Sequence, residues 1–313
     1  MRFVLLVGSL AASAAASLGC SANGESAGGA GAGGQTTSSA STATGQGGED
    51  VITGSGGGGG SLPMDNCTDA AKLIYVVGNG NELVSFHPPT LAFNTIGKLA
   101  CPVQGGPATG IPTPFSMAVD RTGSAWVLYD DGNLFRVDVT DASCKGTAYV
   151  PEQLSAYKQF GMGFVSDQVG SNEETLYLSS FAGEGIATLD LDTLKVTKVG
   201  YYDALDAPAE LTGTGDARLY GFFLDDPVVV AELDKGSSHI VSQAPQAGME
   251  IGVAWAFAFW GGDFYLFTSP NGGTSRVDKY SPSTGQTTLV LDDVGFEVVG
   301  AGVSTCAPVE PPK

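Results

Sequence analysis

The chain is short of positive charge: 14 Lys and Arg stand against 33 Asp and Glu, a formal net charge of −19 at pH 7 over 313 residues. Nucleic-acid binding begins with basic side chains neutralising phosphates, so it is not expected here. Histidine is scarce, with only His87 and His239. Neither has a Ser or Cys partner at a recognisable spacing, and both read as turn or surface residues. A His-dependent hydrolase or lyase is therefore not expected. The five cysteines include no CxxC pair, which with two histidines argues against a zinc site. No Gly-rich loop leads into a helical pattern, so there is no phosphate-binding motif, and the many glycines before residue 66 are not one. The most apolar stretch, Met249 to Phe267, is interrupted by Glu250, Gly261-Gly262 and Asp263. It reads as two strands around a Gly-Gly turn rather than a spanning helix.

What the chain does have is a repeat. Its clearest copy runs from Pro114 to Cys144, as three short strands and two tight turns. The middle strand, Ala125 to Tyr129, has counterparts at Leu73–Val77, Thr175–Ser179, Arg218–Phe222 and Asp263–Phe267. Each carries an aromatic residue at its third place: Tyr75, Trp126, Tyr177, Tyr220 and Tyr265, spaced by 51, 51, 43 and 45 residues. A second apolar run follows each of them. A fourth strand is expected at Leu91–Ile96, Thr147–Val150, Leu194–Val199, Ser238–Val241 and Thr287–Leu291. Short β-rich runs between Gly, Asn, Asp and Ser turns mean antiparallel hairpins. A four-stranded unit recurring every 40–50 residues or so marks a β-propeller blade. A lone blade has two apolar faces, and stacking around an axis buries both. A β-sandwich also has many short strands, but the fixed aromatic place and the period favour the propeller. The expected fold is all-β, one propeller of about five four-stranded blades over residues 67–306.

The expected order begins with a signal peptide at 1–19: Arg2, then an Ala-rich apolar core from Phe3 to Leu18. Residues 20–66 are Gly, Ser, Ala and Thr rich, a composition that cannot offset its ordering entropy. As a flexible tether it would span roughly 35–40 Å root-mean-square. The first blade lacks its opening strand. Val299 to Ser304 supplies the equivalent of Ser116–Asp120 from the far end of the chain, closing the ring without a free edge. Residues 307–313 form a short tail. Setting Cys20 aside, four cysteines remain, an even number suited to an oxidising compartment. Cys67 precedes the second strand of blade one and Cys306 follows its returning strand, so a Cys67–Cys306 bond would lock the ring. That leaves Cys101–Cys144. Here Cys144 is expected in a turn between third and fourth strands, and the long connection from Ala100 to Thr113 must bring Cys101 round to it.

Ser17-Leu18-Gly19-Cys20 resembles a lipoprotein signal, with Ser17 and Leu18 exchanged relative to the usual box. The resemblance implies acylation of Cys20, with each buried methylene contributing about 0.8 kcal/mol of membrane anchoring. The repeats, most clearly Phe115 to Asp138, resemble NHL/YVTN-like bacterial propeller domains. Together with the tether and the closing cysteine, the chain resembles outer-membrane lipoproteins of Gram-negative bacteria. That implies a place in the cell envelope on its periplasmic or surface face, or secretion if Cys20 is not acylated. Propeller streptogramin lyases rely on a His at a defined blade position that is not visible here. Fold alone does not supply function.

The expectation is a monomeric, tethered binding or scaffolding module with a protein or glycan partner and no cofactor. The alternative is an extracytoplasmic glycan hydrolase or lyase using rim carboxylates, with or without Ca²⁺. Asp130, Asp131, Asp225 and Asp226 are the Ca²⁺ candidates, beside Glu184, Asp203, Asp206, Glu250, Asp292 and Asp293 on the same expected face. Asp also populates turns for its own hydrogen bonding, and the opposite face carries acids too.

Overall fold

The structure is a computed structural model describing residues 67–105 and 110–312. The expectations for the signal segment, Cys20 and the tether lie outside the described residues. The rest is a five-bladed β-propeller of four-stranded antiparallel sheets. Blade one holds β1 (Ile74–Gly78), β2 (Glu82–His87) and β3 (Ala92–Lys98). Blade two holds β4 (Pro114–Val119), β5 (Ser124–Tyr129), β6 (Leu134–Asp138) and β7 (Cys144–Gly146). Blade three holds β8 (Phe160–Ser166), β9 (Glu174–Ser180), β10 (Ile186–Leu189) and β11 (Val196–Lys198). Blade four holds β12 (Ala209–Gly213), β13 (Leu219–Phe223), β14 (Val229–Leu233) and β15 (Ile240–Pro245). Blade five holds β16 (Trp255–Trp260), β17 (Asp263–Thr268), β18 (Arg276–Ser281) and β19 (Gln286–Leu291). Finally β20 (Val298–Val303) returns to blade one and pairs antiparallel with β1, Ile74 opposite Val303 and Val76 opposite Ala301.

The inner strands β20, β4, β8, β12 and β16 pack side by side around the axis. They run in the same direction, since Gly300 lies against Ser116–Met117 and Gly302 against Ala118–Val119. Glycine is required at these approaches. A Cβ on Gly161 would overlap the Ala209 carbonyl, and one on Gly213 the Phe164 carbonyl. Between blades lie five apolar clusters, one at each interface. Each blade is thus covered on both faces, which is why β1, β8, β12 and β13 are buried along their whole length. The repeated aromatics on the second strands are all buried. Two of them have their polar ends served locally: Tyr75 Oη donates to the Ala70 carbonyl at 3.0 Å, and Trp126 Nε1 to Asp120 at 3.4 Å.

Blade two corrects one expectation. Its fourth strand is Cys144–Gly146, not Thr147–Val150. In the β6–β7 turn Ala142 takes a left-handed conformation (φ 61°) and its N–H bonds back to the Asp138 carbonyl, the same turn that Leu194 makes on Asp190 and Ser238 on Asp234, so β7 starts two residues after the left-handed position as β11 and β15 do. Asp138 and Asp141 side chains accept from the amides of Thr140 and Ser143 within the same turn. Thr147 then leaves the ladder, its hydroxyl donating to the Leu134 carbonyl at 2.6 Å. Cys144 consequently sits in a strand, paired with Val137, rather than in a turn.

Both disulfides are present, Cys67–Cys306 and Cys101–Cys144. The first ties the closing strand to the start of blade one. The second joins the outer parts of blades one and two, where both cysteines pack on the cluster between them. In the chain-entropy model, closing the 239-residue separation of the first bond contributes on the order of 5 kcal/mol. Cys67→Ser with Cys306→Ser should lower the melting temperature by roughly 10–20 °C in non-reducing calorimetry. Cys101→Ser with Cys144→Ser, spanning 43 residues, should lower it less.

Candidate functional site

The axis is occupied by a carboxyl group. Glu210, the second residue of β12, is only 4% exposed. Ser116 Oγ in β4 donates to its Oε2 at 2.8 Å. These strands belong to blades four and two, so the bond reaches past blade three. Gly161 makes that possible: a Cβ there would lie 2.6 Å from the Glu210 Cα. Burial pushes the Glu210 carboxyl well above its ordinary value, opposed only by the Ser116 bond. Burial thus favours the protonated form of this carboxyl, the form that costs least to bury.

Three aromatic rings lie across the adjacent mouth of the axis. Phe115 precedes Ser116 in β4, Phe181 starts the β9–β10 turn, and Trp255 opens β16. Phe181 meets Phe115 edge-on at 5.2 Å and stacks on Trp255 at 6.0 Å between centroids. Trp255 Nε1 donates at 3.3 Å to the carbonyl of Phe222, which is paired with Glu210 across β12–β13. The turn carrying Phe181 is held by its N–H on the Gln159 carbonyl at 3.1 Å. Gly183 (φ +74°) and Gly185 (φ +144°) let that turn lie against the blade three-to-four connection, where a Cβ on either would strike backbone. Phe181 remains 37% exposed, and Leu224 and Val253 at the same end are 39% and 66% exposed. Phe115 and Trp255 are half-buried.

Three of the four acids in the two pairs at this end hold nearby backbone amides, Asp131 and Asp225 within their own turns and Asp130 across to the preceding connection. Asp130 accepts from the Thr113 N–H at 3.2 Å. Asp131 accepts from the Asn133 N–H at 3.0 Å and its side-chain amide at 2.8 Å. Asp225 accepts from the Asp226 N–H at 2.9 Å. Asp130 and Asp131 belong to blade two and Asp225 and Asp226 to blade four. Among the described residues no group of three or more His, Cys, Asp or Glu is placed to hold a metal ion.

The opposite end of the axis is clamped by the chain closure. Arg121 donates to Thr305 Oγ1 at 3.0 Å and to Asn172 Oδ1 at 3.1 Å. Glu174 accepts from the Arg121 N–H and from Thr305 Oγ1, both at 2.7 Å. Desolvation raises the Glu174 carboxyl to about 7, helped by Asp120 and opposed by those bonds and the Arg121 charge. After Cys306 the chain continues across blade five, where the Gly261 N–H donates to the Pro308 carbonyl at 2.7 Å. Pro311 and Pro312 then wall a half-open cavity of about 420 Å³ with His87, Trp260 and Tyr265. His87 ends β2, with Nδ1 2.8 Å from Thr90 Oγ1. His239 precedes β15, with Nδ1 3.9 Å from Asp203. Both lie on the outer halves of their blades.

Glu210, Phe181, Arg121 and the special position of Glu174 are not identified by sequence reasoning. Glu210 does leave a signal, as an acid inside the run Ala209-Glu210-Leu211 of an inner strand. Phe181 leaves only an aromatic residue at a turn.

No family model matches the chain, and no curated protein matches it. Among solved structures, an inactive virginiamycin B lyase of Staphylococcus aureus with quinupristin aligns with a TM-score of 0.40 at 12% identity, covering 71% of this chain and 70% of that one. The hydrazine synthase of Kuenenia stuttgartiensis aligns with a TM-score of 0.39 at 12% identity, covering 76% and 72%.

The buried acids make stability depend on pH with a definite sign. Both bind a proton more tightly folded than unfolded, so stability falls as pH rises above about 4.3, the unfolded value, through about 7 for Glu174. Glu174→Gln should reduce the fall between pH 5 and 8 by about 1–3 kcal/mol in urea titrations. Glu210→Gln, shaped like the neutral acid, should leave stability at pH 7 within about 1 kcal/mol of the parent. A pH profile unchanged by Glu174→Gln contradicts the burial account.

Proposed function

We propose that this chain is an extracytoplasmic binding module, held at the cell envelope by an acylated Cys20 and its Gly/Ser-rich tether, which captures a partner at the aromatic mouth. The observation that carries the reading is the set of Phe115, Phe181 and Trp255 rings joining three blades over the axis, with Phe181 37% exposed. Rigid, partly exposed aromatics at the centre of a ring of loops are the residue types that dominate binding energy at interfaces. The buried, hydrogen-bonded Glu210 beneath them gives the rings a filled floor, so a partner meets a platform at this mouth. The two disulfides suit an oxidising compartment, in keeping with export. The resemblance to propeller lipoproteins supports the same placement.

Two measurements test this. Cys20→Ser should move the protein from the membrane fraction to the soluble extracytoplasmic fraction of a Gram-negative host. A photo-crosslinking amino acid at position 181 should give a discrete adduct in intact cells, while the same group at exposed Thr95 on β3 should not. Equal labelling at both positions, or none at 181, removes the mouth as the binding surface.

A further inference from the structure

The chain itself shows what a ring beside a carboxylate does in this fold. Lys198 lies 3.3 Å from the centroid of the Tyr201 ring and 2.8 Å from Glu184. Arg218 sits over Tyr220 at 5.1 Å while pairing with Glu232 at 2.7 Å. Arg136 covers Trp126 at 5.5 Å with Asp120 3.8 Å away. Three times a cation is held between the face of an aromatic ring and an acid. The attraction combines the ring quadrupole with direct charge pairing.

The axial mouth has the same two ingredients without the third. Its rings are Phe115, Phe181 and Trp255. Around it the loops carry Asp130, Asp206, Asp225, Asp226 and Glu250, all exposed. The turns after the second strands and the blade-to-blade connections contain a single base among the described residues, Lys158, and it pairs with Glu152 at 3.5 Å. No described cation covers the mouth rings.

We infer that the mouth receives a basic segment of a partner protein, whose Lys or Arg side chains lie on the Phe181–Trp255 platform and pair with the surrounding carboxylates. The inference rests on reading the mouth as a binding surface and names the chemistry of what binds there. Charge complementarity selects this occupant. A phosphate-bearing lipid surface or nucleic acid would be repelled by these loops, and so would a second copy of the same face. A basic segment would also associate fast and weaken with salt, since most of the charge is at the rim.

The test uses the full-length protein and fluorescein-labelled decapeptides of arginine, of glutamate, and of alternating glycine and serine, followed by anisotropy at low and physiological salt. Deca-arginine should bind and the other two should not. Because a domain of this net charge attracts cations everywhere, the site must be located by matched variants. Phe181→Ala together with Asp225→Asn and Asp226→Asn should weaken deca-arginine at least tenfold. Glu173→Gln with Asp192→Asn, which removes the same charge elsewhere, should change it less than twofold. Equal weakening by the two sets, or no deca-arginine binding, overturns the inference. If position 181 crosslinks in cells yet neutral glycans rather than deca-arginine bind in a Phe181-dependent way, the mouth survives as a binding surface and its cationic specificity does not.

Discussion

Everything in this fold depends on how closely five parallel strands can approach one axis. β20, β4, β8, β12 and β16 lie side by side, and glycine is required where β8 meets β12 and where β20 meets β4, backbone against backbone. That closeness leaves little open space along the axis. Ser116 and Glu210 fill part of it with a hydrogen bond that crosses an intervening blade. It also means the ring must be closed with care, since a loose β20 would expose the inner edges of two neighbours at once. The Cys67–Cys306 bond and the Arg121–Glu174–Thr305 clamp lie at the end of β20 where such loosening would begin.

With one axial end clamped by the chain termini of the ring, the other end is left to face a partner. Its character follows from the strands beneath it. Inner strands start there, so Phe115 and Trp255 are carried on rigid β-structure, and only Phe181 comes from a turn. That turn is itself pinned by glycines packed against the next connection. A surface built this way holds its rings in place before anything binds, which lowers the ordering cost of association. The surrounding acids then give it a sign.

The repeat was legible because burial on both faces forces near-continuous apolar strands and because each second strand carries an aromatic residue at the same place. The returning strand Val299–Ser304 was legible as a missing piece of blade one, and with it the Cys67–Cys306 bond. The fourth strand of blade two was not, because Cys144-Lys145-Gly146 has none of the β-branched or aromatic residues that mark a strand, whereas Thr147 to Val150 just beyond it has them. Nor were the site residues. Asp130, Asp131, Asp225 and Asp226 stand out in sequence as acid pairs, yet Asp131 and Asp225 serve their own turns and Asp130 holds the Thr113 amide of the connection before β4. Glu210 and Phe181 are isolated in sequence and acquire meaning only where blades two, three, four and five converge. Local patterns report strands and turns, while the mouth is a product of closure.

The most direct test is amide hydrogen exchange across the whole chain, with and without saturating deca-arginine. Slowing confined to the segments around Phe115, Phe181, Leu224 and Val253 is the result this account predicts, with the clamp around Arg121 and Thr305 unchanged. Slowing spread over both ends, or none at the mouth, would contradict it.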